Sequence, residues 1–176
     1  MKSYSIKLKK DLKIHTPGFT LIEVMIVIAI VGILTSIGVP NYIKYREKAR
    51  IEVAITEMRF LEKEILNFRS EFGELPDDLS EISIGRVLDP WGSPYEYLKT
   101  QGVCDEKDKD DKKDKDDKEK EGKIRKDHSQ HPLNCDFDLY SVGKDGRTNA
   151  PLTDKKSQDD IVRANNGGFM DLASNY

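Results

Sequence analysis

The sequence predicts an α+β fold. One long N-terminal helix, membrane-spanning in its first half and amphipathic in its second, packs on a small antiparallel sheet. Three patterns predict it. Residues 19–39 form an apolar run whose one ionisable side chain is Glu23. Ile51, Ile55, Met58, Leu61, Ile65, Phe68 and Phe72 recur at steps of three and four, the period of one helix face. Two tyrosine-bearing stretches farther on are bounded by proline and glycine, as short strands are.

Whole-chain averages hide this organisation. The 176 residues carry 29 Lys+Arg against 32 Asp+Glu, a formal net charge of −3. Mean hydropathy is −0.63. Those values exclude a polytopic membrane protein and a large multidomain enzyme. They show no excess of positive charge, so no nucleic-acid partner is expected. Two cysteines cannot frame a disulfide-rich scaffold.

As a helix, residues 19–39 span about 31 Å, the thickness of a bilayer core. A cleaved secretory signal has a shorter apolar region and a small-x-small cleavage site, and Thr35-Ser36-Ile37-Gly38 is a poor one. A retained helix is therefore expected. Met1 to Gly18 holds five lysines against Asp11. Lys44, Arg46, Lys48 and Arg50 lie beyond the run, so the positive-inside rule orients it only weakly. Glu23 is the anomaly, because an acid inside a membrane helix costs about 2.5–3.5 kcal/mol. It either snorkels to the interface or has a partner.

The stretch Thr16-Pro17-Gly18-Phe19-Thr20-Leu21-Ile22-Glu23 resembles the processing motif of type IV pilins and type II secretion pseudopilins. The resemblance implies that a prepilin peptidase cuts between Gly18 and Phe19 and that Phe19 becomes N-methylated. Residues 1–18 are then a cleaved basic leader and 19–40 the transmembrane half of the helix. It also supplies the partner of Glu23: the new α-amino group on Phe19 of a neighbouring subunit. In a low dielectric that pairing is strong and the unpaired acid costly, which makes Glu23 a register device for assembly.

Gly32 weakens the helix and Pro40 cannot complete its hydrogen bonding. The segment between them is expected either to unwind locally, as the family's filaments do, or only to kink. Residues 41–73 continue as the amphipathic stem, ended by Gly73 and Pro76. Residues 74–104 are expected as a loop and the first strand of the head. Asp89-Pro90-Trp91-Gly92-Ser93-Pro94-Tyr95 makes a rigid turn before that strand. Residues 135–176 hold the second strand, Phe137 to Val142, and a C-terminal loop. The Asp-Pro-Trp-Gly-x-Pro-Tyr and Phe-Asp-Leu-Tyr-Ser-x-Gly-x-Asp-Gly stretches resemble the major pseudopilin of type II secretion systems. That resemblance implies a type IV pilin-like fold.

Beyond Gly146 the chain offers Asp154, Asp159 and Asp160 on polar turns. Acids on turns can converge on a hard cation, but in polar loops they are usually solvated. The spacing is not that of an EF-hand. Here too the resemblance adds an expectation, a structural calcium ion. It would be held by Asp145, Asp159, Asp160 and the Val142 carbonyl, stiffening a C-terminal loop with little apolar content. The connection from Arg147 to Gln158 is longer than the family's, which bears most on Asp159 and Asp160.

Residues 105–134 form a charged insert, expected to be disordered. Its 105–121 run is charged at every position, with 10 acids and 7 lysines. No apolar side chain there offsets the ordering entropy. Cys104 and Cys135 bracket the insert at the ends of two strands expected to pair. A disulfide staple is expected, with free thiols and a zinc site using His128 and His131 as alternatives.

No nucleophile elbow, HExxH or P-loop occurs, and the chain is not expected to be an enzyme. The reading is a single-pass inner-membrane subunit with its head in the periplasm. It would form a homopolymeric pseudopilus driving protein secretion across the outer membrane. The partners implied are prepilin peptidase, an inner-membrane assembly platform and minor pseudopilins. The alternatives are a type IV pilin for adhesion, motility or DNA uptake, and an anchored binding module that never polymerises.

Overall fold

The computed structural model describes residues 18–82, 85, 87–100, 104 and 123–176. The expected leader, Gly18 apart, and the charged run 105–121 lie outside the described residues. The chain divides into two compact units, residues 1–43 and 44–176.

Helix α1 runs Leu21–Phe72 and is the one described helix long and apolar enough to cross a membrane. It begins with a capping box. The Thr20 backbone N–H and hydroxyl both donate to Glu23 Oε2, at 3.3 and 3.2 Å, and the Glu23 N–H donates to Thr20 Oγ1 at 3.3 Å. These bonds satisfy donors that a helix start leaves open. The helix continues through Gly32 and Pro40, so the local unwinding weighed for that segment is not present. Thr35 and Ser36 donate back to the carbonyls of Val31 and Ile33 within that segment. Gly73, at φ +84°, donates to the Arg69 carbonyl and closes the helix.

In the second unit the helix buries Ala54, Met58, Leu61 and Ile65, four positions of its predicted stripe or adjoining it. They pack with Leu75, Ile82, Tyr95, Phe137, Leu139, Ile161 and Met170. The sheet has four strands, β1 (Glu96–Lys99), β2 (Phe137–Ser141), β3 (Ile161–Ala164) and β4 (Phe169–Leu172), in that order and all antiparallel. Alternation along β2 and β3 sends Phe137, Leu139, Ile161 and Arg163 toward α1. Asp138, Tyr140, Val162 and Ala164 take the other face. There a second cluster forms, with Leu133, Leu152 and Ala173 covering Val162 and Ala164.

Two regions differ from the sequence expectation. The segment 135–176, expected as one strand and a loop, holds three strands. Asn165, Asn166 and Gly167, at φ +54°, +52° and +92°, turn β3 into β4. Residues 123–134 of the insert are packed rather than a solvated spacer. Ile124 and Leu133 are buried apolar anchors, and Lys126 pairs through its backbone with Ala150 and Leu152.

Candidate functional site

Gly18 and Phe19 sit ahead of α1 as exposed, non-helical chain. Glu23 lies in the first turn of the helix, and among the described hydrogen bonds its side chain is bound by Thr20 alone. Thr20 is the residue that sequence reasoning missed. A threonine three residues before a glutamate at a helix start was the available signal.

The Asp89–Tyr95 turn ties the head together. Asp89 is buried and accepts from the backbone N–H groups of Trp91 and Ser93 at 3.1 and 2.8 Å. Its second oxygen accepts from the Ser141 hydroxyl at 2.5 Å, joining the turn to the end of β2. Gly92 adopts φ +96°, which explains a glycine there. Trp91 Nε1 donates to Glu47 at 2.9 Å and the Tyr95 hydroxyl to Glu57 at 2.6 Å, so the turn also holds the stem. Burial, then the bond to Glu57, pushes the Tyr95 hydroxyl well above its usual value.

The expected calcium residues are brought close, in part. The Asp145 N–H donates to Asp159 Oδ2 at 3.0 Å, and Asp145 Oδ1 accepts from the Arg147 N–H at 2.7 Å. Gly143, at φ +66°, lies against Asp159 so closely that a Cβ would overlap its carbonyl oxygen. Asp160 is fully buried. Its Oδ2 accepts from Arg125 Nη2 and from the Thr148 hydroxyl, both at 2.6 Å. Its Oδ1 is buried with no hydrogen-bond partner among the described residues. Burial pushes the Asp160 carboxyl up to about 6, against the pull of Thr148 and Arg125. Asp160 Oδ1 is the oxygen of this set that would be left free for a hard cation. No group of three or more His, Cys, Asp or Glu side chains gathers for a metal among the described residues.

Cys104 and Cys135 are joined by a disulfide, with Cα atoms 5.3 Å apart. The Cys135 N–H donates to Asn166 Oδ1 at 2.8 Å, fastening the base of the insert to the β3–β4 turn. His131 is exposed beside Asp127, at 3.8 Å.

Comparison with known proteins points the same way. The family model for the prokaryotic N-terminal methylation motif matches residues 16–39. The type II secretion system core protein G of Vibrio cholerae is 33% identical, over 46% of this chain and 69% of that protein. Its counterpart in Aeromonas hydrophila is 32% identical, over 46% of this chain and 71% of its own length. A type IV major pilin protein of Myxococcus xanthus is 43% identical over a shorter stretch, 37% of this chain and 30% of the pilin. The chain therefore spans under a third of that pilin's length and more than two thirds of both core proteins. No solved structure matched.

Proposed function

The chain belongs to the family of the type II secretion system core protein G, and from that premise we propose that it is the structural subunit of a periplasmic pseudopilus that helps drive protein secretion across the outer membrane. Prepilin peptidase cuts after Gly18 and methylates Phe19. The apolar half of α1 holds the subunit in the inner membrane with its head in the periplasm. Subunits then leave the bilayer for a helical homopolymer on an assembly platform, alongside minor pseudopilins. A separate ATPase supplies the energy, and this chain is not itself a catalyst.

One observation carries the reading. Glu23 stands at the start of an apolar helix with Thr20 as its one side-chain partner among the described residues, which leaves its charge for the α-amino group of a neighbour's Phe19. The variants separate the two roles of Glu23. Glu23→Gln keeps the capping box, which accepts either side chain, and removes the charge. It is expected to be cleaved and inserted normally yet to form no filaments, as seen by shearing and electron microscopy. Thr20→Ala loses about 1 kcal/mol of capping and keeps the charge, and filaments should persist. Normal filament yield from Glu23→Gln would overturn the assembly role. A type IV pilin is the second reading, favoured by the match to the Myxococcus pilin.

The calcium expectation also belongs here. Asp145, Asp159, Asp160 and the Val142 carbonyl would hold the ion, which supplies structural cross-linking and no chemistry. The unpartnered Asp160 Oδ1 supports it. A chelator should lower the Tm of the wild type by several degrees, as a bound structural ligand does, and Asp145→Ala should abolish the difference. A wild-type Tm indifferent to calcium would remove the ion from the account.

A further inference from the structure

The sheet face turned away from α1 is covered in part by the C-terminal stretch of the insert, and one side chain there is out of keeping with its surroundings. Arg125 is 2% exposed, although arginine is almost never fully buried without a partner. Its backbone is fixed by the Leu133 N–H donating to the Arg125 carbonyl at 2.9 Å and by its own N–H donating to Asp138 Oδ2 at 2.8 Å. The neighbouring Lys126 N–H donates to the Ala150 carbonyl at 2.9 Å. The guanidinium therefore enters a position set by the main chain on both sides.

What it reaches is a set of oxygens from separate parts of the head. Nη2 donates to Asp160 Oδ2 at 2.6 Å, one residue before β3. Nη1 donates to the Thr148 hydroxyl and, at 2.6 Å, to the Asn149 carbonyl, both in the long connection between β2 and β3. The guanidinium plane lies 4.6 Å from the centre of the Tyr140 ring on β2. A carboxylate, a hydroxyl and a backbone carbonyl gathered around one positive charge is the donor set a hard cation collects. Here a planar fork collects it, a geometry that a point charge does not reproduce.

We propose that Arg125 is a built-in cation for Asp160, delivered from the C-terminal end of the insert, and that it locks the 143–160 connection to the sheet without a metal ion. The lock makes the insert a working part of the head. The disulfide joins the two ends of that segment, and Arg125 ties its C-terminal part to the 143–160 connection. An ion at Asp160 Oδ1 would add to this lock rather than create it, so the proposal stands apart from the calcium reading.

The test uses the full-length chain in detergent micelles with EDTA, read by amide hydrogen exchange. In the wild type the amides of Lys126 and Asn149, which donate to Ala150 and to Ser157 Oγ, should be protected without calcium. Arg125→Gln should speed their exchange by on the order of a hundredfold, because it leaves the Asp160 charge buried alone. The amides of Glu96 and Leu98, which face β2 in the same alternation as the Thr100 N–H that donates to the Asp136 carbonyl, should change far less. Arg125→Lys should fall between, keeping the charge without the fork. Should Arg125→Gln not fold, Arg125→Lys decides. Exchange at wild-type rates from either variant overturns the proposal, as does a wild type whose Lys126 and Asn149 amides are protected only when calcium is added.

Discussion

Each face of the sheet is closed over a buried arginine, and the two are served differently. Toward α1, Arg163 donates from Nε to Glu62 at 2.7 Å and from both terminal nitrogens to Asp136 at 2.8 Å. A further bond from Nη1 goes to the Phe137 carbonyl, and the guanidinium stacks 3.9 Å over the Phe137 ring. On the opposite face, Arg125 has one carboxylate among the described residues, and its Nε and Asp160 Oδ1 are both buried without a partner there. The first arrangement is saturated and joins helix to sheet permanently. The second has an acceptor to spare, which suits a joint that can take a further ion. Burial and pairing alone therefore do not reveal what a buried guanidinium does, and the count of satisfied atoms around it is more telling.

The largest effect should come from breaking the saturated side. Arg163→Met leaves Glu62 and Asp136 facing each other with Arg59 alone near Glu62, at 3.1 Å. Removing one partner of a buried ionic group costs about 3–5 kcal/mol, so denaturant unfolding should show a loss of that order. The position of Gly167 sharpens the point, because a Cβ there would overlap Glu62 Oε1. Asp136 fits this pairing: burial pushes its carboxyl up, and the bonds and charge of Arg163 together with the Phe137 N–H outweigh this and hold it below the usual range. A loss from Arg163→Met well under 1 kcal/mol would erase the contrast between the faces.

The sequence was legible where local rules decide the structure. The stripe from Ile51 to Phe72 follows the helical period, and four of its positions or their neighbours are the helix's contribution to the core. Strands β1 and β2 were marked by alternating tyrosine and apolar residues between turn residues. Strands β3 and β4 were not. Each is four residues long, and Arg163 stands in the middle of β3 where the pattern calls for an apolar side chain. The Asn166-Gly167 pair was the available hairpin signal. The buried arginines were illegible for a different reason. Arg125 meets Asp160 across 35 residues and Arg163 meets Glu62 across 101, and no window of sequence shows a partner at that distance. The charged run likewise drew attention away from Ile124 and Leu133, which decide that 123–134 packs.

The smallest effect is a pH dependence on the Arg125 side. Asp138 is buried behind β2, accepting from Asn134 Nδ2 at 2.8 Å and from the Arg125 N–H. Burial pushes its carboxyl up to about 6, against the opposing pull of Asn134, the Arg125 N–H and the charges of Arg125 and Arg163. The ordinary unfolded value is about 3.9. The folded head therefore binds this proton more readily than the unfolded chain. The stabilising contribution is complete below about pH 4 and is lost as pH rises through about 6. Asp136, held low, acts in the opposite sense but only below about pH 4. Asp138→Asn cannot titrate, so the stability of the wild type relative to this variant should grow as pH is lowered from 7 to 5. Unfolding midpoints at matched ionic strength, with EDTA present, measure that difference. A difference that stays flat over this window would mean that Asp138 is ionised throughout, and that the Arg125 side is as fully compensated as the Arg163 side.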